Sequence, residues 1–251
     1  CIKAREGFAL TALVWVIFGL IGLLPLVMGD HALGFTDALF ETISGFTTTG
    51  ASVYPDVGAL SRSILLWRAI MQWIGGLGII FFMLAAIPAL NRDDGISMFH
   101  AEATGIYHTK LHPRLRQTVL SLWYVYSGLT LCCILLLWAG PMSLFAAVCQ
   151  TFAAISTGGF TTHTEGLAYW ISDYVDWVLT AFMTVGGVNF MLLYGVLHGR
   201  MKALAANAVA RTYFAVIAVF WGLMALGQWL QGGIEPTFRD LGLSTLTHTV
   251  A

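Results

Sequence analysis

Long apolar stretches alternate along this chain with shorter ones, and the polar positions collect between them. Five stretches, at about 8–28, 63–90, 117–139, 173–198 and 212–230, are long enough to cross a bilayer as helices, which takes about 20 residues. Three others, at about 37–46, 141–155 and 238–251, are too short to cross and read as re-entrant half-helices. The order is span, half-helix, span, given twice, with a third unit begun. The pattern predicts an all-α polytopic membrane protein with a repeat of roughly 100 residues.

Each of the first two half-helices runs into a small, hydroxyl- and glycine-rich stretch. The first is Thr47-Thr48-Thr49-Gly50 and the second Ser156-Thr157-Gly158-Gly159-Phe160. Matching Gly50 to Gly159 lays Glu41-Thr42-Ile43-Ser44 over Gln150-Thr151-Phe152-Ala153, and His248-Thr249-Val250-Ala251 fits the same slot. Non-helical backbone at membrane depth survives only where protein buries it or it lines a watery path. In an extended strand these residues would turn successive carbonyls toward an axis and replace the water around a dehydrated cation. Glycine permits backbone angles that strain other residues, and the threonine hydroxyls hold the turn or add ligands. The plain alternative is a hydroxyl-rich loop between two apolar helices, and recurrence of the motif argues against it. The C-terminal ends of the half-helices, each carrying roughly half a negative charge, would favour a cation in the cavity they face.

Composition and charge sharpen this picture. The chain is 58% hydrophobic and 10% charged, where soluble domains carry roughly 25% charged residues. Lipid is therefore an expected partner. The net charge of −1 says nothing about nucleic acid, but no basic patch with interleaved aromatics appears, so nucleic acid is not an expected partner. Lys3, Arg5, Arg92, Lys110, Arg114, Arg116, Arg200, Lys202 and Arg211 fall on one side of the topology, against Arg62, Arg68 and Arg239 on the other. That excess marks the first side, with the N-terminus, as cytoplasmic. Asp30, Asp37, Glu41, Asp56, Glu165, Asp173, Asp176, Glu235 and Asp240 give an acidic outer vestibule that concentrates cations. The four cysteines, Cys1, Cys132, Cys133 and Cys149, contain no C-x-x-C pair, and the last three read as small apolar packers. The chain opens on Cys1 and stops inside an apolar segment, so both ends are expected to be cuts through a longer protein.

Other polar or glycine-rich positions are weighed individually. Gly75-Gly76-Leu77-Gly78, and likewise Gly186-Gly187 near Asn189, are expected to make ordinary helix–helix contacts through small residues. Arg68 interrupts an apolar run, and intramembrane charges are costly and usually paired. A salt bridge to Glu41 would hold the filter, with snorkelling to the outer interface as the alternative. His108 and His112 lie in a basic loop, about 91–116, without a H-E-x-x-H frame; that loop is the expected docking surface for a cytosolic partner. No metal is expected beyond the transported ion. Catalytic carboxylates, a Walker sequence and a G-x-S-x-G elbow are all missing from the sequence, so the protein is not expected to be an enzyme.

From Asp37 to Ala51, through Arg68 and Gln72-Trp73-Ile74-Gly75-Gly76-Leu77-Gly78-Ile79, and again at Gly158-Gly159-Phe160-Thr161-Thr162-His163, the chain resembles the TrkH branch of the Trk/Ktr/HKT superfamily of potassium transporters. The resemblance implies four covalently joined modules around a pseudo-fourfold pore, each giving one filter strand. By it, Thr47, Thr48, Thr49, Gly50, Ser156, Thr157, Gly158 and Gly159 form part of a potassium-ion selectivity filter. Arg68 and Glu41 become structural residues near the pore. The resemblance also implies a homodimer in the bacterial cytoplasmic (inner) membrane, regulated by a cytosolic nucleotide-binding subunit of the TrkA kind. The expected divisions are a first pore module at 1–90, a cytoplasmic loop at 91–116, a second pore module at 117–199 and an incomplete third, span and pore helix only, at 200–251. The expected function is potassium uptake driven mainly by membrane potential. A sodium-coupled, Ktr-like symport and a non-conducting membrane scaffold are the alternatives. Two and a half modules cannot encircle an ion, so this stretch alone is not expected to conduct.

Overall fold

The computed structural model describes residues 4–86 and 115–231. The half-helix expected at 238–251 and most of the 91–116 loop, with His108 and His112, lie outside the described residues. So do Cys1, Lys3, Arg92, Lys110, Arg114, Glu235, Arg239 and Asp240.

Every described regular element is helical: α1 Ala4–Gly22, α2 Leu24–Met28, α3 Phe35–Phe46, α4 Arg62–Ala86, α5 Leu115–Ala139, α6 Leu144–Ile155, α7 Asp173–Gly186, α8 Phe190–Leu197, α9 Met201–Ala206 and α10 Ala208–Gln231. A 3₁₀ turn lies at Gly166–Tyr169. Two described stretches, Leu120–Ala139 and Ala208–Gly227, are long and apolar enough to cross a membrane by length and composition.

Two of the five expected spans are broken rather than continuous. The first divides at Leu23, because Pro25 lacks an N–H and is tolerated only in the first turn of a new helix. The fourth divides after Gly186: Gly187 caps α7 and α8 restarts at Phe190, so the glycine pair there ends a helix. The half-helices come out close to expectation, at 35–46 and 144–155. Ser143 caps α6 by accepting from the Ala146 N–H at 3.3 Å. Asp37 sits in the first turn of α3, where a negative charge suits the helix dipole.

The long helix α4 is the structural spine, packing against α3, α5 and α6. Its Trp67 indole donates to the Gly22 carbonyl at 2.9 Å. Trp73 stacks on Phe152 of α6 with ring centroids 5.1 Å apart and donates to Thr130 Oγ1 of α5 at 3.1 Å. The Tyr126 hydroxyl returns a bond to the Trp73 carbonyl. Around one half-helix Leu26, Ala38, Phe46 and Met71 form a core, and around the other Tyr126, Leu137, Ala147, Ile155 and Leu179 form a second.

Candidate ion-pathway site

Both half-helices end in the same turn. Thr48 and Thr157 take left-handed backbone angles (φ 54° and 53°), and two residues later Gly50 and Gly159 do so again (φ 78° and 81°). The recurrence is at an offset of 109 residues. In the first turn, Thr48 N donates to Gly45 O and Thr49 N to Ser44 O; in the second, Thr157 N donates to Ala154 O and Gly158 N to Ala153 O. This is a Schellman cap, in which a left-handed residue lets the following N–H groups close the helix's last carbonyls. Glycine normally fills that position. A β-branched threonine there is a strained choice, costing on the order of 1–3 kcal/mol, of the kind that clusters at functional sites.

One expectation is corrected by this geometry. The hydroxyl-rich stretches are turns at their start rather than extended strands, because the cap requires the left-handed residue. The chain that follows each half-helix bonds the carbonyls of Ile43, Ser44 and Gly45 in the first and of Phe152, Ala153 and Ala154 in the second. The hydroxyls serve the turn as well: Thr47 Oγ1 donates to Ile43 O at 2.7 Å and meets Thr49 Oγ1 at 2.8 Å, while Ser156 Oγ donates to Phe152 O at 2.7 Å.

The two turns converge. A Cβ on Gly50 would strike the Gly158 carbonyl oxygen and stand 3.3 Å from Gly159 Cα. Glycine at 50 is thus required by both its angle and its neighbour. Thr47, Thr49, Thr157 and Gly159 are exposed, Thr48 and Gly50 half-buried, and Ser156 and Gly158 buried.

Behind the turns, Arg68 and Glu41 form a fully buried ion pair, Nε to Oε1 at 2.7 Å. Glu41 also accepts from Ser52 Oγ at 3.0 Å and Val53 N at 2.9 Å. Arg68 reaches further, to Ser52 Oγ at 3.0 Å and to Thr161 O of the second repeat at 3.5 Å, and lies 4.1 Å over the Phe160 ring. The arginine therefore pairs rather than snorkels. At the place matching Glu41 the second repeat carries buried Gln150, whose Nε2 has no hydrogen-bond partner among the described residues.

Gly75 and Gly76 make more intimate contacts than ordinary helix packing. A Cβ on Gly75 would enter the Phe46 carbonyl, and one on Gly76 would stand 2.7 Å from Ser156 Cβ. Gly186 repeats the arrangement, its Cβ position 2.9 Å from Ile155 O. Sequence reasoning assigned no role to Gln72, yet it is buried beside the second turn and bonds Gly158 O and Phe160 N. The signal was available: Arg68, Gln72, Gly75 and Gly76 follow i, i+4, i+7, i+8 spacing and so share one face of α4.

Beyond the turns the loops of the two repeats are tied together. Thr164 Oγ1 donates to Asp56 Oδ1 at 2.6 Å and accepts from Val57 N at 3.1 Å. That hydrogen bond, more than any other influence, holds the Asp56 carboxyl below the usual range.

Residues 1–221 match the TrkH family model, whose description is cation transport protein. The chain belongs to the TrkH family. The Trk system potassium uptake protein TrkH of Salmonella typhimurium is 37% identical over 250 residues, covering 98% of this chain and 50% of that protein. TrkG of Escherichia coli K12, also named a Trk system potassium uptake protein, is 36% identical over 220 residues, 87% of this chain and 45% of that one. The crystal structure of the potassium transporter TrkH from Vibrio parahaemolyticus matches with a TM-score of 0.82 at 28% identity, over 99% of this chain and 50% of that one. The chain spans about half the length of the relatives it matches. Its all-helical, polytopic membrane fold is the one the hydrophobic pattern predicts, and the family is one of transporters rather than enzymes.

Proposed function

We propose that this chain supplies two filter strands to a potassium uptake pathway across the bacterial cytoplasmic membrane. The observation that carries the reading is the convergence of two matching left-handed turns at Gly50 and Gly159, with Thr47, Thr49, Thr157 and Gly159 exposed. The names of the TrkH and TrkG relatives support potassium as the cargo. On this reading residues 1–90 and 117–199 are pore modules of a pseudo-fourfold assembly, and 200–251 belongs to a third. The N-terminal side is cytoplasmic, and membrane potential drives inward movement with about 2.3 kcal/mol per charge at 100 mV. A homodimer and a cytosolic nucleotide-binding regulator complete the proposal.

Growth of an uptake-deficient bacterial strain on limiting potassium tests it, using the full-length product of the gene encoding this chain. The unaltered gene should rescue, and Gly50→Ser should lose rescue or admit sodium. Equal rescue by both would remove Gly50 from the pathway. No rescue by a well-expressed unaltered gene would favour a scaffold.

A further inference from the structure

The second turn is held in place by the first repeat. Gln72 projects from α4 with its side chain fully buried. Its Nε2 donates to Gly158 O at 2.6 Å, and its Oε1 accepts from Phe160 N at 3.2 Å. A primary amide is one of the few side-chain groups that donates and accepts through different atoms at once, so one residue closes the backbone on both sides of Gly159. The fit leaves no room for a side chain: a Cβ on Gly158 would collide with Gln72 Cδ. That collision explains why the second turn reads Thr-Gly-Gly where the first reads Thr-Thr-Gly.

The clamp belongs to α4 alone among the described helices. Gly186 takes the place of Gly75, and counting back along α7 puts Leu179 where Arg68 stands and Met183 where Gln72 stands. Neither of those side chains can form such a clamp.

We infer that Gln72 is a specificity-determining positioning residue, which fixes the second filter strand from the neighbouring module and directs the Gly158 carbonyl toward protein instead of the ion. The inference rests on the potassium-pathway reading. Among the positions that the resemblance assigns to the filter, the Gly158 carbonyl already has a strong donor. The two strands therefore coordinate a cation unequally, and discrimination between ions of different size depends on the clamp holding its length.

The test is the ratio of potassium to sodium uptake in the full-length product, measured in cells at matched membrane protein levels. Gln72→Met keeps the length of the side chain but offers neither a donor to the Gly158 carbonyl nor a strong acceptor for Phe160 N; Gln72→Leu removes both bonds and shortens the side chain. Both should lower the ratio by about tenfold or more, the equivalent of about 1.4 kcal/mol. A merely structural glutamine would reduce protein level and both uptake rates together, leaving the ratio unchanged, and that result would overturn the inference. If Gln72→Leu does not accumulate, the near-isosteric Gln72→Met decides the matter alone. Absence of potassium uptake by the unaltered protein would instead sink the underlying reading, and this inference with it.

Discussion

Separating Arg68 from Glu41 should be among the most damaging changes available outside the turns. Burial of both charges removes most of the screening that makes surface pairs nearly worthless. Deleting one partner of a buried pair costs about 3–5 kcal/mol, because the survivor is left charged in a dry site. In Arg68→Met, Glu41 would keep Ser52 Oγ and Val53 N as donors, which argues for the lower end of that range. About 3 kcal/mol corresponds to a fall in melting temperature of about 6–12 °C for a chain of this size, and about half that for a product as long as the relatives. Glu41→Leu with Arg68→Met should recover most of the loss, since a matched apolar pair can replace a buried ion pair almost neutrally. The double variant would still lack the arginine's bonds to Ser52 and Thr161, so its uptake should remain impaired while its stability returns. Thermal unfolding of the purified, detergent-solubilised full-length product, followed by size-exclusion fluorescence, reads this directly. Arg68→Met melting within about 2 °C of the unaltered protein, or a double variant as unstable as the worse single one, would refute the reasoning.

Two further outcomes follow from the same geometry. Gly75→Ala and Gly186→Ala should sharply reduce the amount of folded protein, because each Cβ meets a half-helix carbonyl, whereas Gly222→Ala in open space on α10 should be tolerated or stabilise by up to about 1 kcal/mol; equal behaviour of all three on a membrane immunoblot would contradict the packing argument. The Asp56 carboxyl has its folded pKa depressed, so its link to Thr164 contributes above the unfolded pKa and is lost as pH falls through the folded value, below the ordinary 3.8. Hydrogen exchange at the Val57 amide should therefore stay slow through mildly acidic conditions and accelerate only below that point, and Thr164→Val should abolish its protection at every pH.

Much of this architecture was legible because apolar length and repetition are one-dimensional signals. The half-helices, their glycine-bearing ends and the pairing of Arg68 with Glu41 all follow from burial cost and spacing. The breaks in the first and fourth spans were hidden inside runs whose hydropathy never falls, although Pro25 and Gly186-Gly187 marked them. The left-handed threonines were not legible: Thr48 and Thr157 are poor residues for that conformation by themselves, and only the cap bonds to Gly45, Ser44, Ala154 and Ala153 impose it. Gln72 escaped for a different reason. Its partners lie 86 and 88 positions further along, and periodicity places it on a face without saying what that face meets.

The reach of α4 across the repeat boundary has a consequence for how the molecule is made. Ribosomal synthesis delivers Arg68 and Gln72 well before Gly158, Phe160 and Thr161, so the anchors of the second turn are already in place when that turn emerges. Arg68 and Gln72 reach forward to the later repeat, while Thr164 of that repeat reaches back to Asp56 and Val57. A lesion in α4 therefore falls on two turns at once, one of them made long after the helix that anchors it.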